Sequence, residues 1–437
     1  MECIQYDKLG LSIFCETFSN GLELHMIPLK GMSQTFAVLN VNIGANDTAF
    51  INTTTKEKIE FPLGTAHFIE HLMFRNKNAI DQICSEIGAT ISAKTNYNNT
   101  EFLISCSGNI EAIIPKLFTA LLNQSFSKFE IENEKRVIKE EILVYQDEPS
   151  WIVYRDLVMQ MYPELSICTD VSGTIDSIKS LDKELLEQVH NIYYKSNNMK
   201  LVVVGDVNPI RLNECIFNTI ERNGHHVKTK DHEVERFYPK AQNEPYKNIA
   251  IIKNKAQDLF SIGLRRQIQE DNKIDNYLAT QVIMESLFGL GSTLTVNLKK
   301  EGLITNKWSY SNYTGPNYDF SVVSSSTMNL NSLVIKIWEE LQQVRKNGLM
   351  PSEIDRATKK MIGQRLLQID NIKEFTLAYS ENLSNGFNYF DFLDYLHKVD
   401  CNYINSKLES IVSFDHFLNL PHEILHDSQI GLFKDNM

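Results

Sequence analysis

The stretch 64-GTAHFIEHLMF-74 sets three polar groups, His67, Glu70 and His71, among residues that otherwise read as core: Ala66, Phe68, Ile69, Leu72, Met73 and Phe74. A helix over 64–77 puts His67 and His71 one turn apart on one face, at i and i+4, with Glu70 beside them at i+3. Two imidazoles at that spacing reach one zinc at about 2.0–2.1 Å and leave room for a further protein ligand and a water. Glu70 then lies beside that water, placed to take its proton. The order His-x-x-Glu-His inverts the commoner His-Glu-x-x-His zinc signature. A surface-facing polar stripe carries the same letters, so the reading depends on a third ligand.

The segment 130-EIENEKRVIKEEILVYQDEPSW-151 is rich in carboxylates, and helical phase has to choose among them. Val137, Ile138, Ile142 and Tyr145 mark its apolar side, and Glu134 and Glu141 fall within that stripe at i and i+7. Glu140 is turned about 120° away from Glu134. A carboxylate on a buried face needs a partner, and a metal or a metal-bound histidine supplies one. Glu141 is therefore the expected third ligand and Glu134 the support of a ligand histidine. A salt bridge from Glu134 to a neighbouring Lys or Arg is the alternative, and Glu130, Glu132 and Glu140 read as solvated.

These motifs sit in a chain of 437 residues, long enough for two or more domains, with 43% apolar and 22% charged residues. A net charge of −12 argues against nucleic acid as a partner, because phosphate binding needs a basic footprint. The N-terminus shows no basic run followed by an apolar one, and no segment approaches the ~18–20 apolar residues of a membrane span. Seven scattered cysteines without a Cys-x-x-Cys pair fit reduced thiols and a cytoplasmic location.

Strand signals fall at 22–29, 35–44, 101–108 and 199–206, and helical ones at 64–77, 79–87, 110–122, 130–147 and 182–194. The polar, proline-bearing stretch 225–246 reads as a linker. Beyond it the order recurs: strands at 248–254 and 258–266, a helix at 274–288, a strand at 318–327, and helices at 332–346 and from 351 onward. The expected fold is α+β, with two homologous domains at 1–224 and 247–437, each a mostly antiparallel sheet packed with helices. Two unrelated α+β domains are the alternative.

Taken together, the residues resemble the pitrilysin/insulinase zinc metallopeptidases, whose fold the mitochondrial processing peptidase shares. GTAHFIEHLMF is similar to the family's active-site helix, and 134-EKRVIKEE-141 to the helix whose two glutamates stand seven apart. Further along, 173-GTIDSI-178, 193-YYKSNNMKLVVVGDVNP-209, 291-GSTLTVNLKKEGLI-304 and 348-GLMPSEIDRATKKMIGQRL-366 also resemble it. The resemblance implies a zinc endopeptidase of short or unfolded peptides. It implies one zinc ion held by His67, His71 and Glu141, with Glu70 as the base and Glu134 assisting. It also implies that Ser92, Ala93, Lys94 and Thr95, within 88-GATISAKTNYNNTEF-102, belong to an edge strand that pairs with the substrate backbone. Active members carry an Arg and a Tyr in the second repeat that polarise the scissile carbonyl. Leu298 and Thr305 stand at those positions here, and neither Lys299 nor Tyr310 has the right spacing. A partner is therefore expected: a homologous subunit lacking the metal motif and supplying the Arg and Tyr, with a homodimer as runner-up. The chain also resembles a bacterial subgroup of the family that includes the two-subunit peptidases of peptide-bacteriocin clusters, which implies a role in precursor processing. A non-catalytic structural or peptide-binding subunit of the same fold is the rival reading.

Overall fold

In a computed structural model the described residues are 1–52, 55–75, 84–86, 88–122, 125–222, 235–240, 249–252, 257–268 and 273–412. Most of the helix expected at 79–87 lies outside them. The strands are β1 (Glu2–Tyr6), β2 (Leu11–Thr17), β3 (Glu23–Pro28), β4 (Thr35–Val41), β5 (Ala49–Ile51), β6 (Lys58–Glu60), β7 (Ala89–Thr95), β8 (Thr100–Cys106), β9 (Met199–Gly205), β10 (Glu235–Arg236), β11 (Ile249–Ile252), β12 (Asp258–Arg265), β13 (Ser309–Thr314) and β14 (Asp319–Thr327). The helices are α1 (Thr65–Arg75), α2 (Ile110–Leu122), α3 (Lys128–Gln146), α4 (Pro149–Met161), α5 (Ile175–Lys179), α6 (Lys183–Tyr193), α7 (Pro209–Arg222), α8 (Lys273–Phe288), α9 (Thr293–Lys300), α10 (Leu330–Asn347), α11 (Pro351–Asp370), α12 (Ile372–Ser384), α13 (Tyr389–Lys398) and α14 (Cys401–Val412).

The chain divides into two compact units, and neither is a contiguous half. The first gathers residues 1–144, 169–238 and 366–389; the second gathers 145–168, 239–365 and 390–437. Helix α4 thus belongs with the second unit and α12 with the first. Within the stretch read as a linker, residues 235–238 are built into the first unit: β10 pairs with β5, and Arg236 faces the buried Asp47 at 3.6 Å.

The first unit is a seven-stranded sheet in the order β1-β2-β3-β9-β4-β8-β7, antiparallel except where β3 runs parallel to β9. Alternation explains how it is covered. In β4 and β9 the odd-numbered Ala37, Leu39, Val41, Leu201 and Val203 join the main core with α1, α2 and α3. The even-numbered Val38, Val202 and Val204 are buried as well, under α12, which packs on β4 and β9. Strand β7 ends the sheet, so one of its edges is open among the described residues. The second unit repeats the scheme with a four-stranded antiparallel sheet, β11-β12-β14-β13, under α8, α10 and α11, and α4 packs on β11 and β12. The protein is a two-domain α+β fold.

Candidate metal centre

Helix α1 buries Phe68, Ile69, Leu72 and Met73, each worth roughly 1.5–3 kcal/mol when fully removed from water. That apolar face fixes its rotation and so aims the three polar groups. Its start is fixed by two glycines. Gly64, at φ 84°, brings its Cα so close to the next loop that an added Cβ would lie 2.3 Å from the Ser172 carbonyl oxygen. Gly173, at φ 81°, answers with a Cβ position 2.5 Å from the Leu63 carbonyl oxygen. Both the left-handed backbone and the lack of space demand glycine at each position. Ser177 completes the clasp by donating its hydroxyl to Leu63 O at 2.8 Å.

His67 and His71 face each other with ring centroids 4.4 Å apart. Glu141 of α3 lies across from both: Oε1 is 3.7 Å from His67 Nε2 and Oε2 is 3.6 Å from His71 Nε2. These separations are too long for hydrogen bonds. They are close to the ~3.4 Å expected between two atoms that each sit 2.0–2.2 Å from one tetrahedral ion. The donor atoms of the three residues all lie within 4.8 Å of one another. Glu134, 3% exposed, accepts a hydrogen bond from His71 Nδ1 at 2.9 Å. That bond puts the proton on Nδ1 and leaves the Nε2 lone pair for a cation. Glu134 thus takes a histidine.

The electrostatics ask for positive charge. Burial, and then the neighbouring His71, lower the His67 pKa to about 3, so this imidazole is neutral at pH 7 and can ligate. Burial tends to lower His71 too, but the Glu134 bond and the charges of Glu70, Glu134 and Glu141 outweigh it and raise its pKa. Glu70 is held above the usual carboxylate range by burial, against the hydrogen bond from the Thr95 hydroxyl. Glu141 is raised by burial, with Asp170 and Glu134 adding to it and His71 opposing. A divalent cation among these groups would relieve the carboxylate repulsion, and the N/O donor set fits zinc.

The phase of α3 needs one correction. Its buried residues are Ile131, Glu134, Ile138 and Ile142, whereas Val137 and Tyr145 are 47% and 43% exposed. The apolar stripe is therefore centred beyond the assumed one, and Glu134 and Glu141 lie along its border. Leu143 and Val144 are exposed as well, so apolar letters on both faces blurred the phase.

Of the four residues expected on the substrate strand, Ser92 and Lys94 are exposed, Ala93 is half-buried and Thr95 is buried. Thr95 donates its hydroxyl to Glu70 Oε2 at 2.7 Å. Sequence reasoning did not find Asp170, whose charge acts on Glu141 from the loop that carries Gly173. No periodic pattern marks that loop.

The second unit shows what the same layout does without ligands. Helix α8 carries Val282, Glu285 and Ser286 at the spacing of His67, Glu70 and His71. Glu285 is 2% exposed and meets cations from α11, with Lys360 Nζ at 2.8 Å and Arg356 Nη1 at 3.7 Å. It also accepts the Tyr310 hydroxyl at 2.8 Å. Tyr310 is thereby committed within its own unit. Leu298 is buried, Thr305 pairs with Ser326 at 2.9 Å, and Lys299 is exposed.

The model of the insulinase family, peptidase family M16, matches residues 58–175, and that of the peptidase M16 inactive domain matches 180–361. An uncharacterized zinc protease of Bacillus subtilis, YmfH, is 28% identical over 398 residues, 90% of each chain. The mitochondrial-processing peptidase subunit beta of Caenorhabditis elegans is 27% identical over 182 residues, 40% of each. A crystal structure described as an M16-like peptidase from Alicyclobacillus acidocaldarius superposes with a TM-score of 0.81 at 24% identity, over 93% of this chain and 96% of that one. The chain belongs to the pitrilysin/insulinase family of peptidases.

Proposed function

From that membership we propose that the chain is a zinc-dependent endopeptidase of short or unfolded peptides, acting as the metal-bearing subunit of a heterodimer. The observation that carries this reading is the pair of separations, 3.7 and 3.6 Å, between the two histidine Nε2 atoms and Glu141. His67, His71 and Glu141 would hold one zinc, and Glu134 would keep His71 in the ligating tautomer. Zinc supplies Lewis acidity toward a peptide carbonyl and a water. Glu70 takes the proton of the attacking water and returns it to the departing amine, and its raised affinity for a proton suits both steps.

The open edge of β7 suits an extended peptide. Asn96 N–H bonds Asn99 O, and Ser107 N–H bonds Gly88 O. In this register the even-numbered residues of β7 pair with β8, while Ile91 and Ala93 turn their N–H and C=O outward. A substrate added there as a strand must be unfolded, since a folded chain has no free strand to offer. Of Ser92, Ala93, Lys94 and Thr95, Ala93 is the residue suited to backbone pairing.

The engaged or apolar residues at Leu298, Thr305 and Tyr310 support a partner that supplies the cationic and phenolic groups. We take this to be a homologous chain lacking the metal motif, with a second copy of this chain as the alternative. Processing of peptide precursors, bacteriocins among them, fits such a pair. The free thiols at Cys3, Cys15, Cys215 and Cys401 support a cytoplasmic setting. The same missing groups favour one rival, a peptide-binding subunit without turnover. Zinc content and peptide cleavage, measured with and without the partner, separate the two. Glu70→Gln should keep its zinc and lose turnover by at least about 100-fold. Cleavage by that variant at the wild-type rate would overturn the assignment.

A further inference from the structure

Thr95 is 5% exposed, and its hydroxyl lies 2.7 Å from Glu70 Oε2. A hydroxyl has one proton to give. The neighbouring hydroxyl, Thr100 Oγ1, is 3.4 Å away and donates to the Ile43 carbonyl at 2.9 Å. The Thr95 proton is therefore committed to the carboxylate. Its backbone N–H faces away from β8 in this register. A glutamate's terminal torsion is broad and settles at no single angle unaided. Here the Thr95 hydroxyl holds the carboxylate through a hydrogen bond of 2.7 Å. Thr95 lies two positions from Ala93, on the edge that faces outward.

We infer that Thr95 is a positioning residue for proton transfer: it fixes the Glu70 carboxylate and links its orientation to the strand on which the peptide would lie. The inference rests on the proposed peptidase reading. It differs from the expectation that Thr95 is a substrate contact, because its side chain serves the base.

Thr95→Val keeps size and β-branching and removes the proton; Thr95→Ser keeps the proton. In the zinc-loaded protein with its partner, Thr95→Val should lower kcat by about 10- to 100-fold with KM little changed, as expected for a displaced catalytic group. Thr95→Ser should restore kcat to within about threefold of wild type, a small part of that loss. Zinc content should be unchanged, and so should peptide affinity measured in a Glu70→Gln background. Crystal structures of Thr95→Val and wild type give a readout independent of turnover: the Glu70 carboxylate should leave its place in the variant. An unmoved carboxylate overturns the inference, as does wild-type kcat in Thr95→Val. So does a Ser variant as impaired as the Val variant, or a loss confined to KM and peptide affinity. A Glu70→Gln variant that still cleaves at the wild-type rate sinks the peptidase reading instead. In that case the carboxylate position alone decides what Thr95 does.

Discussion

Glu134, 3% exposed, bonds a histidine. A buried carboxylate is costly unless a donor meets it, and here the donor is itself oriented by the encounter. Glu134→Gln can still accept from His71 but removes a charge that raises the basicity of the ring. Zinc retention against a chelator should weaken by about 10- to 100-fold, the usual effect of losing a ligand's hydrogen-bonded support, with helicity unchanged. At this scale the sequence was informative because the chemistry is local. An i, i+4 histidine pair with a glutamate between them is legible from letters alone, and the seven-residue spacing of Glu134 and Glu141 survives an error in the phase of their helix. The partnership of Thr95 with Glu70 was not legible. It joins a strand to a helix 25 residues away through a side chain that has many other common uses.

Among elements, β7 is the one whose position matters most for the proposed chemistry. It ends the sheet, and its outward backbone groups at Ala93 can be tested separately from its inward ones. Proline lacks only the N–H that faces the open edge, and edge strands tolerate it there. Ala93→Pro should leave the melting temperature nearly unchanged and weaken peptide binding by about 3- to 10-fold, the worth of one hydrogen bond. Unfolding of the variant would mean that the N–H serves β8 instead. Sequence patterning found β3, β4, β8 and β9 through their apolar runs, but not their order. That β9, far along the chain, lies between β3 and β4 follows from long-range pairing that no local window contains. The clasp of Gly64 and Gly173 is of the same kind: each glycine is explained only by the other's loop.

Across the molecule, the segments that return after long excursions decide how each unit is completed. In the first unit, His25 on β3 shares a hydrogen bond of 2.9 Å with the hydroxyl of Tyr379 on α12. Burial, with Lys200 adding to it and Glu23 opposing, lowers the His25 pKa to about 4. The unfolded chain, titrating near 6.5, binds the proton more readily, so this histidine withdraws stability as pH falls from about 6.5 to about 4. The loss is on the order of 3 kcal/mol. Above that window both states are neutral and the effect vanishes. Urea unfolding from pH 7 to 4 should show a shallower decline for His25→Gln than for the wild type, and parallel curves would remove His25 as the cause. The two-unit α+β architecture was readable from the recurrence of elements. The exchange of α4 and α12 was not, because an amphipathic helix does not record in its own residues which sheet it will cover.

That exchange has a consequence for synthesis. The sheet of the first unit is complete when β9 ends at Gly205, yet the helix that covers Val38, Val202 and Val204 ends at Ser384. About 180 residues separate the two, so at typical ribosomal speeds the uncovered face waits on the order of 10–40 s for its lid. During that interval a nascent chain presents a valine-lined surface to whatever is nearby, and a chaperone, or the first unit of another nascent chain, has time to reach it before α12 does.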